Sequence, residues 1–316
     1  MSFLPHISPR QFRLLVAGAT AIAATSVTVS TAAAAPAPPA ASVAVRATAA
    51  TTAHAAAPAS RHRAGRTPHA VSLASTISLD TCSASLARYP SSKPTDRALM
   101  LTNGHCWEGG FILPNQVLLN LPSSRTGKLL NARGQAVATV RTDRLLYATM
   151  TGTDISVYRL TRTFAQIKHS TGLTALTIAS SPPAAGDAVS IPAGYWKIIY
   201  PCAISGFVPS LHEAIWTWHD SIRYQNPPSS DCQLIGGTSG SPIVDDHSRK
   251  IVGINNTANE DGQSCTLNNP CEVDSDGNVT AIKGEGYGQQ TYWITTCLTR
   301  HNSLDLNKAG CLLPKP

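Results

Sequence analysis

The sequence predicts an all-β body behind a polar leader, and three observations predict it. Short runs rich in β-branched and aliphatic residues recur through the body, separated by Gly, Pro, Asn and Asp, the spacing typical of sandwiches and barrels. Apolar residues at helical period are scarce, so little of the body can form amphipathic helix. All eight cysteines lie between positions 82 and 311, an even number that suits a disulfide-braced chain in an oxidising compartment.

Taken in order, residues 1–35 read as a signal peptide for secretion. Arg10 and Arg13 form the basic start, positions 14–29 a mildly apolar run, and Ala32 to Ala35 a small-residue cleavage region. The run is too short and too rich in Ala and Thr for a stable membrane anchor. Residues 36–75 are Ala, Pro, Thr, Ser and a few Arg, which cannot bury a core and are expected to be a disordered pro-segment or linker. The body, 76–316, is long enough for one or two lobes with a real core. Strands are expected at 98–102, 117–121, 136–140, 155–160, 188–191, 197–200 and 251–254, and positions 180–186 read as a linker between two halves.

The formal charge is +7, but six of the 25 basic residues and none of the 18 acidic ones lie in 1–75. The body is therefore almost neutral and carries no basic cluster with interleaved aromatics, which excludes a nucleic-acid-binding body. No C-x-x-C pair occurs and no His stands at ligand spacing to a Cys pair, so neither a metal site nor any other cofactor is expected. Eight cysteines allow 105 connectivities; pairing of neighbours is expected, as Cys82–Cys106, Cys202–Cys232, Cys265–Cys271 and Cys297–Cys311. Asp245-Asp246-His247-Ser248 and Asp274-Ser275-Asp276-Gly277-Asn278 read as turns. Trp216 and Trp218, two apart, point to one strand face as core or cleft wall.

The segment Gly236-Gly237-Thr238-Ser239-Gly240-Ser241-Pro242 sets a serine among glycines ahead of an apolar run. Such a turn lets backbone N–H groups converge on a bound oxygen, while the serine can attack a carbonyl. Serine chemistry then needs a base and an orienting carboxylate. His105, in Leu101-Thr102-Asn103-Gly104-His105-Cys106, follows a strand directly and can be pinned by its cysteine neighbour. Asp154 heads the apolar strand Ile155-Ser156-Val157, where burial demands a partner. Asp143 and Asp187 are alternatives that lead weaker strands.

In this order the three motifs resemble the chymotrypsin (trypsin-like) serine proteases. Ile251-Val252-Gly253-Ile254 resembles that family's substrate-binding strand, and Gly186-Asp187-Ala188-Val189 the opening of its second half. The resemblance covers about 76–316. It implies two antiparallel six-stranded β-barrels, about 76–180 and about 184–316, with the site in the cleft between them. It implies His105 as base, Asp154 as orienter, Ser239 as nucleophile, and the N–H groups of Gly237 and Ser239 as an oxyanion hole. It places Gln233 near the base of the primary pocket, and Asn255, Asn256, Thr257 and Ala258 along its wall. Thr238 stands where animal-type members carry an acid, so the chain looks closer to bacterial glutamyl-endopeptidase-like and HtrA-like members. A neutral Gln233 argues against strict Lys/Arg preference. The implied partner is a polypeptide substrate, acted on by a secreted monomer. The competing reading is a protease-like binding protein without activity. An α/β-hydrolase esterase is disfavoured, because Ser241 breaks G-x-S-x-G and the His, Asp, Ser order is wrong for that fold.

Overall fold

The computed structural model describes residues 70–225 and 231–316. The expected signal peptide, and the linker up to residue 69, lie outside the described residues. Sixteen strands and two helices follow in order among them. They are β1 (Thr76–Ser78), β2 (Ser83–Arg88), β3 (Arg97–Thr102), β4 (Val117–Pro122), β5 (Thr126–Leu130), β6 (Ala136–Thr149), β7 (Ile155–Thr163), α1 (Phe164–Thr171), β8 (Leu176–Thr177), β9 (Ala188–Ala193), β10 (Ile198–Glu213), β11 (Trp216–Tyr224), β12 (Pro242–Asp245), β13 (Ile251–Ala258), β14 (Cys271–Val273), β15 (Val279–Thr280), β16 (Gly286–Gln290) and α2 (Tyr292–Thr296).

Each half closes a ring of six antiparallel strands. The first runs β1-β5-β6-β7-β3-β2 and returns to β1. The second runs β11-β16-β13-β12-β9-β10 and returns to β11. Closure removes the exposed edges that open sheets must otherwise protect. Among the described strand pairs one is parallel, β8 with β2. Every strand expected from the sequence is present. Several extend further, because ring closure continues pairing into polar residues; β6, expected over 136–140, runs to Thr149. The packed chain also starts before position 76. Leu73 and Ser75 are buried, and the Ser75 backbone bonds to Leu130 and Leu86. Leu73 is the large apolar group that the Ala-rich run before it lacks.

Helix α1 shows a capping box between Thr163 and Gln166 and ends at Gly172 with φ 74°. The Thr-x-x-Gln pattern satisfies two free donors at the helix start.

Inside the first ring, Ile77, Leu86, Met100, Leu129 and Tyr158 form a core that Trp216 and Trp218 join from the second half. Val189, Ile191, Ile222 and Ile243 fill the second ring. A further layer covers the outside of the first ring, where Trp293, Ile294 and Leu313 pack with Leu99, Tyr147 and Val157. Four disulfides join Cys82–Cys106, Cys202–Cys232, Cys265–Cys271 and Cys297–Cys311. Among the described residues, no helix is long and apolar enough to cross a membrane.

The two halves are hooked together at β11. The Gly152 N–H donates to Thr217 O and the His219 N–H to Gly152 O, at 3.0 and 2.8 Å. The buried indoles of Trp216 and Trp218 donate to Ile112 O (2.8 Å) and Met150 O (3.0 Å). Trp218 thus combines core volume with a bond to the loop that precedes Asp154. Trp218→Ala is expected to destabilise the protein by about 3–5 kcal/mol, read as a lowered midpoint in urea unfolding of the disulfide-intact protein.

Candidate active site

The site is assembled from loop ends. Strand β3 delivers Asn103 and His105, the turn before β7 delivers Asp154, and the turns before β12 deliver Ser239. Asp154 is fully buried, and one histidine satisfies both of its oxygens. The His105 N–H donates to Oδ1 (2.9 Å) and the ring Nδ1 meets Oδ2 (2.7 Å). A carboxylate can only accept, so Nδ1 carries the proton and Nε2 keeps a lone pair. Asn103 completes the frame: its amide donates to Asp154 O at 2.8 Å, and the Ser156 hydroxyl donates to Asn103 O.

Burial alone would lower the His105 pKa. The Asp154 charge and hydrogen bond outweigh it, and Glu213 adds to them, so the pKa is raised above the ordinary value of 6.5. Glu213, on the last position of β10, is itself buried and lines the same cleft. It accepts from the Asn268 N–H at 2.9 Å, and burial pushes its carboxyl above the usual range.

Two successive turns share Thr238, and Ser239 sits in the second. The Thr238 N–H to Ile235 O bond (3.1 Å) closes the first and the Ser241 N–H to Thr238 O bond (3.1 Å) the second. The third residue of each is a glycine at positive φ, Gly237 at 87° and Gly240 at 81°, as type II turns require. At Gly240 a side chain has no room either, since a Cβ would stand 2.1 Å from Ser83 O. The carbonyls from Ile235 to Ser239 are all held. Gly236 O accepts from Trp196 Nε1 (2.7 Å), Gly237 O from the Ser83 hydroxyl (3.1 Å) and Ser239 O from the Ser83 N–H (2.8 Å). The N–H groups of Gly237 and Ser239 donate to no other described residue. Below the loop, Tyr224 donates to Asn255 Oδ1 (3.2 Å) and Asn255 Nδ2 to Thr238 Oγ1 (3.0 Å). A buried neutral network occupies the position for which animal-type members were expected to use an acid.

A cleft between the halves gathers His105, Asp154, Glu213, Ser239 and the segment Asn255 to Ala258. The Ser239 hydroxyl donates to Asn256 O at 3.1 Å rather than to the His105 ring. Gln233 does not join the cleft. It is exposed between buried Cys232 and Leu234, and alternation along this extended segment turns Leu234 inward instead. Asp143 is spent on Arg97 (2.7 Å) and Arg159 (2.8 Å), and Asp187 caps the Ala184 N–H at 2.8 Å; neither meets His105. Asp245 and Asp274 each close a turn. The supports that sequence reasoning missed are Ser83, Trp196 and Glu213. Ser83 and Glu213 come from distant strands and Trp196 from the turn between β9 and β10, and a single serine, tryptophan or glutamate carries no local signal.

Residues 91–254 match the model of the trypsin-like peptidase domain. The chain belongs to this family. Comparison with curated proteins yields no match. Solved structures similar to this trypsin-like domain include three bacterial proteases. The active form of the Rv3671c protease from M. tuberculosis has 13% identity, covers 76% of this chain and 82% of its own, and gives a TM-score of 0.42. The corresponding values for Nocardiopsis protease are 14%, 69%, 90% and 0.39. For Thermobifida fusca protease A they are 12%, 70%, 90% and 0.38.

The raised pKa of His105 has a direct test. In an NMR titration its ring should lose its proton above pH 6.5. Asp154→Asn removes the main stabilising charge and should move that titration downward; an unchanged midpoint would contradict the electrostatic account.

Proposed function

We propose that the chain is a secreted serine endopeptidase that cuts peptide bonds through an acyl-enzyme. The observation that carries this reading is the cleft itself. It holds the Asp154-bound His105 and Ser239 together, beside two backbone N–H groups whose partner carbonyls are already fixed. In this reading the Ser239 hydroxyl exchanges Asn256 O for His105 Nε2 when substrate binds. His105 removes its proton as Ser239 attacks the peptide carbonyl, and Asp154 stabilises the imidazolium. The Gly237 and Ser239 N–H groups receive the negative oxygen. His105 then protonates the leaving amine, and water, activated by the same ring, releases the acyl group.

Substrate positioning follows from the sheet. Past Ile254, β13 is bonded along one side to β16, while its pairing with β12 has ended. The other side of Asn256 to Ala258 is free to accept a substrate as an added strand. Leu234, Ile235 and Asn255 line the same cleft, with Glu213 and Glu260 among its other lining residues. Four disulfides support an extracellular location, with residues 1–35 as the signal peptide that directs export.

Ser239→Ala should lower kcat on the order of 10⁵-fold, and a loss below about tenfold would sink the assignment. Diisopropyl fluorophosphate should add one phosphoryl group at Ser239 by intact mass and peptide mapping. His105→Ala should abolish the adduct.

A further inference from the structure

We propose that Trp196 is a positioning residue for this reaction: its indole N–H sets the orientation of the Gly236–Gly237 peptide, and so aims the Gly237 N–H into the cleft. The inference rests on the serine-peptidase reading above and adds a residue to it.

The argument begins with the turn. Ile235, Gly236, Gly237 and Thr238 form a four-residue turn with its closing bond in place and φ 87° at Gly237. Type I and type II turns share that closing bond and differ chiefly by rotation of the central peptide. Here the central peptide joins two glycines, which permit either orientation at little steric cost. A Cβ at Gly236 would meet no atom within 4 Å, so no packing against that position holds the peptide. The turn's own sequence therefore does not choose. Type I is the commoner form and asks for no positive φ.

The choice is made from outside. In a trans peptide the carbonyl and the N–H point to opposite sides, and this chain has no cis bond among the described residues. Trp196 Nε1 holds Gly236 O at 2.7 Å, which leaves the Gly237 N–H on the other side. In the rotated form the Gly236 carbonyl would take that N–H's place. It would present partial negative charge where the oxyanion must develop.

Trp196 is fixed well enough for this task although 44% of it is exposed. Tyr195 packs edge-on against it, with ring centroids 4.9 Å apart. The Tyr195 N–H donates to Ser83 Oγ (3.0 Å), and the same hydroxyl donates to Gly237 O (3.1 Å). Ser83 thereby ties the turn that carries Trp196 to the turn that Trp196 controls. The Tyr195 ring also lies 2.7 Å from where a Gly237 Cβ would stand, so the residue at 237 must stay glycine.

The test compares Trp196→Phe, which keeps an aromatic ring and removes the N–H, with Trp196→Ala, which removes both. Steady-state kinetics on a peptide substrate are paired with the affinity of a peptide aldehyde, whose adduct oxygen occupies the oxyanion position. In both variants kcat should fall about five- to tenfold, the consequence of losing one hydrogen bond that biases a two-state turn. Aldehyde affinity should weaken by the same factor while KM and the melting temperature hold. Wild-type kcat in Trp196→Phe, or a loss confined to Trp196→Ala, would assign the role to the ring and overturn the proposal. So would a drop in kcat accompanied by matching changes in KM and melting temperature. A wild-type protein without Ser239-dependent hydrolysis overturns the peptidase reading first, and this one with it; wild-type hydrolysis with an unaffected Phe variant overturns this one alone.

Discussion

The site depends on one constraint: from Ile235 to Ser239 the backbone carbonyls all have donors, so the Gly237 and Ser239 N–H groups, which donate to no described residue, can serve something else. A buried peptide group without a partner is costly, and a loop this rich in glycine has many other ways to satisfy its polar atoms. What prevents them is a set of donors from two strand systems. Ser83 contributes its hydroxyl and N–H from the first ring, Trp196 its indole from the turn between β9 and β10. The loop is held by what surrounds it more than by its own side chains.

His105 and Asp154 obey the opposite logic, in which the pair itself is the anchor. A carboxylate with no exposed surface needs compensation, and Asp154 obtains it from His105 twice over, through ring and backbone. The loop that carries Asp154 is in turn gripped by β11, through Gly152 and the Trp218 indole. The base is therefore oriented by the second barrel although both residues of the pair belong to the first. Separation of the halves would disturb the pair together with the first core, which Trp216 and Trp218 complete.

Much of this was legible in the sequence. His105, Asp154 and Ser239 stand in short stretches whose composition states the local geometry: a strand running into Gly-His-Cys, an acid at the head of an apolar strand, a serine between glycines. Strand positions were legible for the same reason, since β-branched runs between turn residues leave few alternatives. Strand ends were not, because ring closure carries β6 and β10 through polar residues that alternate poorly. Position 233 differs from what the family resemblance implies. The buried Cys232 and Leu234 on either side fix its outward direction, and that is a tertiary fact. Glu213 ends a strand of ordinary appearance, and only the folded sheet brings it near His105.

The layer outside the first ring ties the site to the order in which the chain is made. Leu313 is buried in that layer with Tyr147 and Val157, and Pro314 O accepts from the Tyr147 hydroxyl at 3.0 Å across 167 residues of sequence. Pro314 also stands close to Gly152, in the loop that leads to Asp154. Synthesis proceeds from the N-terminus, so the strands of the first barrel emerge well before the segment that covers them. A nascent chain can pair β6 with β7 and still lack the outer support of its Asp154 loop until the residues around 313 have arrived. Translational timing thus separates pairing of the early strands from arrival of the segment that backs the Asp154 loop.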